Sequence, residues 1–233
     1  MARPRPNGGT QMNDSPQTLA GPATPVWSPD GKYVYVATTR RQDYEYHDYD
    51  TEVYRISVLD GSVTQLTDRR GPDSNPVVSP DGRLIAYVGY DDRFMGYQVV
   101  QLHVVNSDGT GARSLTSTLD RDVSNISWSA DGMWIYFIYV NEGETRLARI
   151  SLDGRMEDLA ANIGSRPTAY PSGGFSVARN GMYAYTAVST QDFGKIVVGG
   201  PSRSANRRTI VDVNQELLAG RKRGRVEEIR YKS

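Results

Sequence analysis

Ser28-Pro29-Asp30-Gly31 is the stretch that decides the fold, because similar tetrads follow it at regular intervals. The later copies are Ser79-Pro80-Asp81-Gly82, Ser129-Ala130-Asp131-Gly132 and Ala178-Arg179-Asn180-Gly181, and their glycines are 51, 50 and 49 residues apart. Ser, Pro, Asp and Gly in this order favour a type I turn followed by a left-handed residue, which is a common connection in a β-hairpin. The sequence therefore contains four copies of one hairpin.

A second hairpin follows each tetrad. The strand that leaves each tetrad is apolar on both faces, which is typical of a strand covered on both sides. The second turns are Asp60-Gly61, Asp108-Gly109, Asp153-Gly154 and Gly200-Pro201. Each last strand is short and polar, as sheet edges often are. Four strands per unit at a period near 50 residues predict an all-β fold of β-propeller blades, with an evenly spaced β-sandwich as the alternative.

The repeats also predict the organisation of the chain. We expect four blades within residues 23–213, at about 23–70, 71–118, 119–161 and 170–213, after a disordered or partial-blade segment at 1–22. Neither end offers an obvious strand to join the first blade to the last, so we expect an open arc or part of a larger ring. An open arc exposes an apolar face on each terminal blade, which predicts self-association through those faces.

Composition narrows the classes of partner. The 27 Lys and Arg residues balance 27 Asp and Glu residues, so no net charge favours nucleic acid or an anionic membrane. No apolar run approaches the roughly 18 residues of a membrane span, and we expect a soluble protein. Residues 1–17 lack the apolar core of a signal peptide. The absence of cysteine excludes disulfides, and the bacterial cytoplasm and the periplasm both stay open.

Motifs of catalysis and metal binding are missing from the sequence. A nucleophile elbow would read G-x-S-x-G, and no such pentad occurs. The two histidines are His47, in a polar insert, and His103, within an expected strand. The Asp-Gly pairs lack the spacing of a calcium loop and are interpreted as turns. We therefore expect no catalytic residues, no metal ligands and no cofactor.

The repeated turns resemble the propeller repeat shared by periplasmic Tol-system proteins and prolyl oligopeptidase-family serine peptidases. Several stretches favour the acylaminoacyl-peptidase and dipeptidyl-aminopeptidase-like bacterial members of the second group. These are Gly71-Pro72-Asp73-Ser74-Asn75-Pro76, Gly89-Tyr90-Asp91-Asp92, Leu119-Asp120-Arg121-Asp122-Val123 and the tail Val226-Glu227-Glu228-Ile229-Arg230-Tyr231-Lys232-Ser233. In that family a strand similar to the tail ends the propeller and opens an α/β-hydrolase domain, so residues 214–233 are expected to be the linker and first strand towards a missing hydrolase domain.

The resemblance implies a non-catalytic propeller that gates and positions peptide substrate, while the hydrolase domain cuts it. On this interpretation the chain is not an enzyme on its own, and its partner is peptide substrate reached through the hydrolase domain. A stand-alone Tol-like propeller that acts as a protein-interaction scaffold is the alternative.

Two polar loops are candidate binding surfaces. The insert Tyr44, Glu45, Tyr46 and Asp48 combines aromatic and acidic side chains, which can hold a peptide amine through charge and ring contacts. In the dipeptidyl-peptidase branch, acidic residues on a propeller insertion hold the free N-terminus of the substrate. Arg93 and Tyr97 lie in the corresponding loop of the second blade. A polar loop that contacts the hydrolase domain is the alternative for both.

Overall fold

A computed structural model describes residues 24–40, 50–164, 173–189, 193–201 and 205–221, together with 224, 227 and 229. Its strands form four separate four-stranded antiparallel sheets, each built from consecutive strands. We number the sheets blade 1 to blade 4 along the chain. The prediction of an all-β propeller with four four-stranded blades is confirmed, and in the described residues the apolar clusters join consecutive blades, which is consistent with an open propeller.

The strands of the two N-terminal blades have the following bounds. Blade 1 contains β1 (Val26–Trp27), β2 (Tyr33–Thr38), β3 (Glu52–Ser57) and β4 (Val63–Gln65). Blade 2 contains β5 (Asp73–Val78), β6 (Leu84–Gly89), β7 (Gln101–Asn106) and β8 (Arg113–Ser114).

The two C-terminal blades follow the same order. Blade 3 contains β9 (Val123–Trp128), β10 (Trp134–Asn141), β11 (Glu144–Ser151) and β12 (Met156–Ala160). Blade 4 contains β13 (Phe175–Val177), β14 (Tyr183–Val188), β15 (Phe193–Gly199) and β16 (Arg208–Asp212). A one-turn helix, α1 (Gln215–Leu218), comes after blade 4.

The tetrads form the first turn of each blade, as expected. In blade 3 the Ser129 hydroxyl donates to Asp131 at 2.5 Å and accepts from the Trp134 amide at 2.9 Å, while Gly132 has a φ of +70°. Ser28 and Ser79 make the same two hydrogen bonds in blades 1 and 2. The serine hydroxyl thus provides an acceptor for a backbone amide inside the turn and is itself held by the aspartate carboxylate, which is why Ser and Asp recur there.

In the part of the chain that the structure describes, the core consists of three apolar clusters, and each lies between two consecutive blades. Between blades 1 and 2 the cluster contains Tyr35, Val53, Leu66, Ile85, Tyr87 and Val105. Between blades 2 and 3 it contains Ala86, Val88, Leu102, Val104, Leu115, Val123, Ile135, Phe137, Tyr139, Ala148 and Ile150. Between blades 3 and 4 it contains Tyr136, Ile138, Leu147, Leu159, Ala160, Ile163, Tyr183, Tyr185 and Val197. Because both faces of β6 and β10 are covered, residues 84–88 and 134–140 of these strands are all apolar or aromatic.

Candidate functional site

Loops of unequal length create a cavity at one end of blades 2 and 3. The β6–β7 connection in blade 2 spans residues 90–100, whereas β10 and β11 in blade 3 are joined by Glu142 and Gly143 alone. These two residues have φ values of +50° and +79°, as a tight type I′ hairpin turn requires. The cavity beside this short hairpin has a volume of about 510 Å³ and is lined by Tyr97, Arg121, Asp122, Ser124, Ile138, Tyr139, Val140, Glu142 and Thr145.

Asp122 fixes the wall of the cavity that blade 2 contributes. One carboxylate oxygen accepts a hydrogen bond from the Tyr97 hydroxyl at 3.0 Å, and the other accepts from the Val100 amide at 2.8 Å. The neighbouring Arg121 donates from Nε to the Asn141 side chain at 3.2 Å, at the end of β10. Two consecutive residues of the β8–β9 connection therefore hold the long loop and the short hairpin in place around the cavity.

Tyr139 forms part of the floor of the cavity and is held by a polar network. Its hydroxyl donates to Asp158 at 2.7 Å, and Arg146 lies 3.5 Å from the same carboxylate. Burial, reinforced by the hydrogen bond to Asp158, raises the pKa of Tyr139 to about 12. Burial and Asp122 likewise raise the pKa of Tyr97. Both phenols are therefore neutral hydrogen-bond donors at physiological pH.

The cavity combines aromatic walls with polar groups of both charges. Tyr97 is 64% exposed and Glu142 lies at the turn, so both are accessible to a molecule that enters. Aromatic faces with a few oriented donors and acceptors suit a short polar chain such as a peptide. In the described part of the chain, no three His, Cys, Asp or Glu side chains are grouped to hold a metal ion.

A buried ion pair anchors the start of the long loop in blade 2. The Arg69 guanidinium donates to the fully buried carboxylate of Asp73 and also lies 3.1 Å from Asp91, which begins the exposed part of the loop. The Asp92 amide adds a hydrogen bond to the Arg70 carbonyl at 2.8 Å. Burial raises the pKa of Asp73, and the Arg69 guanidinium opposes this increase.

His103 belongs to this ion-pair network. Its ring stacks on Tyr87 with centroids 5.3 Å apart, and its Nε2 lies 3.2 Å from Nη1 of Arg69. A guanidinium can only donate, so this contact requires a neutral imidazole with its proton on Nδ1. Burial, followed by the charge of Arg69, lowers the pKa of His103 to about 4. The interpretation of His103 as a strand residue agrees with this position between blades 1 and 2.

Glu52, the first residue of β3, is a second buried carboxylate. It accepts a hydrogen bond of 2.5 Å from the Thr67 hydroxyl, which itself accepts from the Val53 amide at 2.9 Å. Burial raises the pKa of Glu52 to about 8, and the nearby carboxylates of Asp73 and Asp50 add to the increase. Glu52 is therefore largely protonated at neutral pH.

Only one of the predicted site residues lines the cavity in the described part of the chain. Tyr97 lines the cavity, whereas Arg93 lies on the same loop outside the lining and is held through its amide by Gln98. The insert residues Tyr44, Glu45, Tyr46 and Asp48 lie outside the described residues.

The eight lining residues other than Tyr97 were not singled out from the sequence as binding residues, among them Arg121, Asp122, Tyr139 and Glu142. Arg121 and Asp122 lie in the stretch 119–123 that carries part of the family resemblance. The other signal is the absence of a long insert between the second and third strands of blade 3, which places a short hairpin beside a long loop.

Comparisons with known proteins identify relatives of two kinds. A family model described as the dipeptidyl peptidase IV (DPP IV) N-terminal region matches residues 28–207. Dipeptidyl-peptidase 5 of Porphyromonas gingivalis is 30% identical over 129 residues, which cover 54% of this chain and 19% of that protein. The Tol-Pal system protein TolB of Francisella tularensis is 36% identical over 74 residues, 30% of this chain and 15% of that protein. The chain thus spans less than a fifth of each curated relative.

Solved structures share the fold at low sequence identity. The acylaminoacyl peptidase of Pyrococcus horikoshii superposes with a TM-score of 0.62 at 16% identity, over 86% of this chain and 29% of that one. The β-propeller domain of the Trilobed protease from Pyrococcus furiosus, described as an open velcro topology, gives 0.60 at 18% identity, over 84% of this chain and 54% of that one.

The four blades and these matches define a propeller of the kind found in peptidases. The chain belongs to the dipeptidyl peptidase IV N-terminal region family, because the family model matches more than half of its 233 residues. No helix in the described residues has the length and hydropathy needed to cross a membrane.

Proposed function

We propose that this propeller is a non-catalytic domain that gates and positions peptide substrate for a serine peptidase, whose α/β-hydrolase domain performs the hydrolysis. The observation that carries the proposal is the 510 Å³ cavity, in which Tyr97, Asp122 and Glu142 surround an opening between two blades. Family membership supports the link to peptide processing. The chemistry of the cavity supports a role in binding.

The proposal assigns roles to the segments outside the blades. Residues 1–22 precede the blade region 23–213, and residues 214–233 act as the linker and first strand towards the hydrolase domain. Tyr44, Glu45, Tyr46, Asp48 and Arg93 contribute further contacts to substrate, with the acidic residues facing its amine. Of these candidate contact residues and Tyr97, only Tyr97 and Arg93 lie within the described residues, and Tyr97 lines the cavity.

Peptide titration of the purified 233-residue chain tests this function. We expect unblocked di- to tetrapeptides to bind, and Tyr97→Ala to weaken binding by about 1 kcal/mol, or roughly fivefold in Kd, through loss of its ring and hydroxyl contacts. Arg83→Ala is the control, because the Arg83 side chain is 86% exposed in the first turn of blade 2, at the end opposite the β6–β7 loop. Equal weakening of peptide binding by both variants, or no weakening by Tyr97→Ala, would show that the peptide does not bind in the cavity.

A hydrolysis assay tests the non-catalytic part of the proposal. We expect no turnover of acyl-aminoacyl or dipeptidyl chromogenic substrates by this chain alone. Turnover that co-purifies with the chain and persists after treatment with a serine-directed inhibitor would contradict it.

The likeness to TolB supports a second candidate, a protein-interaction scaffold. The 36% identity over 74 residues is the observation that favours it. A scaffold binds a folded protein surface, so short peptides would leave the chain unaffected in the titration above. Absence of peptide binding together with saturable binding of a purified folded protein would favour this candidate.

A further inference from the structure

Acidic side chains outweigh basic ones around the cavity between blades 2 and 3. Its lining contains the carboxylates of Asp122 and Glu142 and the guanidinium of Arg121. Arg121 already has an acidic partner outside the lining, because its Nη1 lies 3.8 Å from the carboxylate of Asp120. The lining therefore has an excess of negative charge, which attracts a cationic group and repels an anionic one.

Asp122 keeps its negative charge available to a ligand. The Tyr97 hydroxyl donates to one of its oxygens at 3.0 Å and the Val100 amide donates to the other at 2.8 Å, and both of these donors are uncharged. A carboxylate has about four lone-pair sites, so two hydrogen bonds leave capacity for a further donor. Asp122 can thus hold the loop and also accept a hydrogen bond from a bound cation.

The ring of Tyr97 adds an accessible aromatic face beside these carboxylates. Tyr97 is largely exposed, and its hydroxyl is held in place by Asp122. Elsewhere in the described residues, arginine side chains lie over the aromatic rings of Tyr33, Tyr54, Phe94 and Trp134. A cation within about 6 Å of a tyrosine ring is attracted by the electrons of the ring. The Tyr97 ring can make the same contact with a cation that belongs to a ligand.

Apolar side chains form another part of the cavity wall. Ile138, Tyr139 and Val140 of β10 lie in the lining together with the charged residues. Lysine and arginine carry a charged head on a stem of methylene groups, and this stem is stable along an apolar surface while the head contacts polar groups. An apolar wall, an aromatic face and two carboxylates together match a long cationic side chain.

We propose that the cavity binds a lysine or arginine side chain of the peptide, so that the propeller favours basic peptides. The methylene stem lies along Ile138 and Val140. The charged head lies against the Tyr97 ring and interacts with the carboxylates of Asp122 and Glu142. This inference rests on the proposed function, and it specifies the class of peptide that the domain positions.

Arg121 is the group that would favour an acidic peptide instead. Its Nε donates to the side chain of Asn141 and its Nη1 donates to the carbonyl of Asp120, so two of its three nitrogens already have acceptors. An acidic side chain in the cavity would also face the negative charges of Asp122 and Glu142. The surroundings of Arg121 therefore favour a cation in the cavity over an anion.

Peptides with both ends blocked test the preference. N-acetylated, C-terminally amidated tripeptides with a central lysine, norleucine or glutamate carry no charge at either terminus, so they differ only in the central side chain. We expect calorimetric titration of the purified chain to show about tenfold tighter binding of the lysine peptide than of the norleucine peptide, from one ion pair and one cation–π contact. The glutamate peptide should bind most weakly.

Glu142→Asn tests the contact at the short hairpin. The variant removes one carboxylate and preserves the fold, because Asn-Gly is a favoured pair in a type I′ turn. We expect the preference for lysine over norleucine to decrease by about two- to fivefold. Glu144→Gln is the matched control, because Glu144 lies two residues further along, outside the lining, and pairs with Arg146 at 3.4 Å. An equal decrease in both variants would contradict a specific contact with Glu142.

The same titrations separate this inference from the proposed function. Equal binding of the lysine and norleucine peptides would overturn the preference for basic peptides while the positioning role stands. Tighter binding of the glutamate peptide would overturn it as well, because Arg121 would then determine the specificity. If neither blocked nor unblocked peptides bind, the proposed function fails together with the inference.

Discussion

The Arg69 guanidinium lies against the Asp73 carboxylate between blades 1 and 2 and donates to it through Nε and Nη2. The Asp73 side chain is fully buried, whereas Asp91, the second acidic partner of Arg69, is 61% exposed. One cation thus makes one ion pair inside the protein and one at its surface. The two pairs should differ strongly in their effect on stability.

Asp73→Ala should destabilise the protein by about 3–5 kcal/mol, because it leaves a largely buried guanidinium without its principal counter-charge. Asp91→Ala is the matched control and should cost less than about 1 kcal/mol, since an exposed pair is screened by water. Urea unfolding of both variants measures the difference. Similar losses for the two variants would contradict the assignment of the buried pair as the link between the blades.

The repeat itself suggests how the Asp73 variant can be rescued. Val123 occupies the position of Asp73 in blade 3, since the Asp73 amide donates to Thr51 and the Val123 amide donates to Val100, in each case in the preceding blade. Replacing both partners, as in Arg69→Leu/Asp73→Val, should recover stability to within about 2 kcal/mol of the wild type, because no unpaired charge stays buried. A double variant less stable than Asp73→Ala would show that the polar pair itself is required for the interface.

Glu52 should make the protein less stable as the pH rises. Its pKa in the folded protein is about 8 against an ordinary value of 4.5, so the folded state holds a proton that the unfolded state releases. The contribution is fully present below pH 4.5 and is lost as the pH rises towards 8. Glu52→Gln keeps an acceptor for Thr67 without the charge, and should be the more stable form above pH 8 by as much as ~4 kcal/mol.

Urea unfolding of wild type and Glu52→Gln between pH 4 and 9 measures this change. Glu144→Gln is the control, because Glu144 begins β11 as Glu52 begins β3 but is 45% exposed at its side chain, and it should change stability by less than about 1 kcal/mol. A gap between wild type and Glu52→Gln that is independent of pH would contradict the buried, protonated state of Glu52.

His103 should act in the opposite direction at acid pH. Its pKa in the folded protein is about 4 against an ordinary 6.5, so the unfolded state takes up a proton first as the pH falls. Stability should therefore decrease from pH 6.5 towards pH 4, and His103→Gln should reduce that decrease.

The Glu52→Gln background isolates the effect of His103, because Glu52 titrates in an overlapping range with the opposite sign. His47→Gln in the same background is the control for the other histidine. If His47→Gln changes the loss of stability between pH 6.5 and pH 4 as much as His103→Gln does, the buried imidazole is not the source of that loss.

The repeat predicted the fold because each turn signal is local. Ser, Asp and Gly act within six residues of one another, so their spacing shows where each hairpin lies. The fourth copy lacks the serine, and there the Ala178 amide donates to the Met182 carbonyl, one residue earlier than in the other turns. Its strand pairs accordingly, with Val177 opposite Tyr183. The glycine spacing predicted this hairpin but not its register.

The cavity and the buried pair could not be predicted in the same way. The cavity depends on two loops from different blades, and Tyr97 meets Asp122 only because the blades stack. Arg69 and Asp73 lie in a connection with no repeated pattern, where the sequence offers polar residues that are ordinarily exposed. Contacts between repeats depend on how the repeats pack, which a period does not specify.

Ser129→Ala should cost about 1–2 kcal/mol, because it removes the buried hydroxyl that accepts from the Trp134 amide. Ser129 is 5% exposed, so water cannot readily replace the hydroxyl. Ser151 is the matched control: its hydroxyl also donates to an aspartate, Asp153, and accepts from a backbone amide, that of Arg155 at 3.1 Å, but in an exposed turn. Ser151→Ala should therefore cost less than about 0.5 kcal/mol. Thermal unfolding of the two variants compares the same hydrogen bonds at two levels of burial, and equal losses would show that burial does not set the strength of the repeated turn.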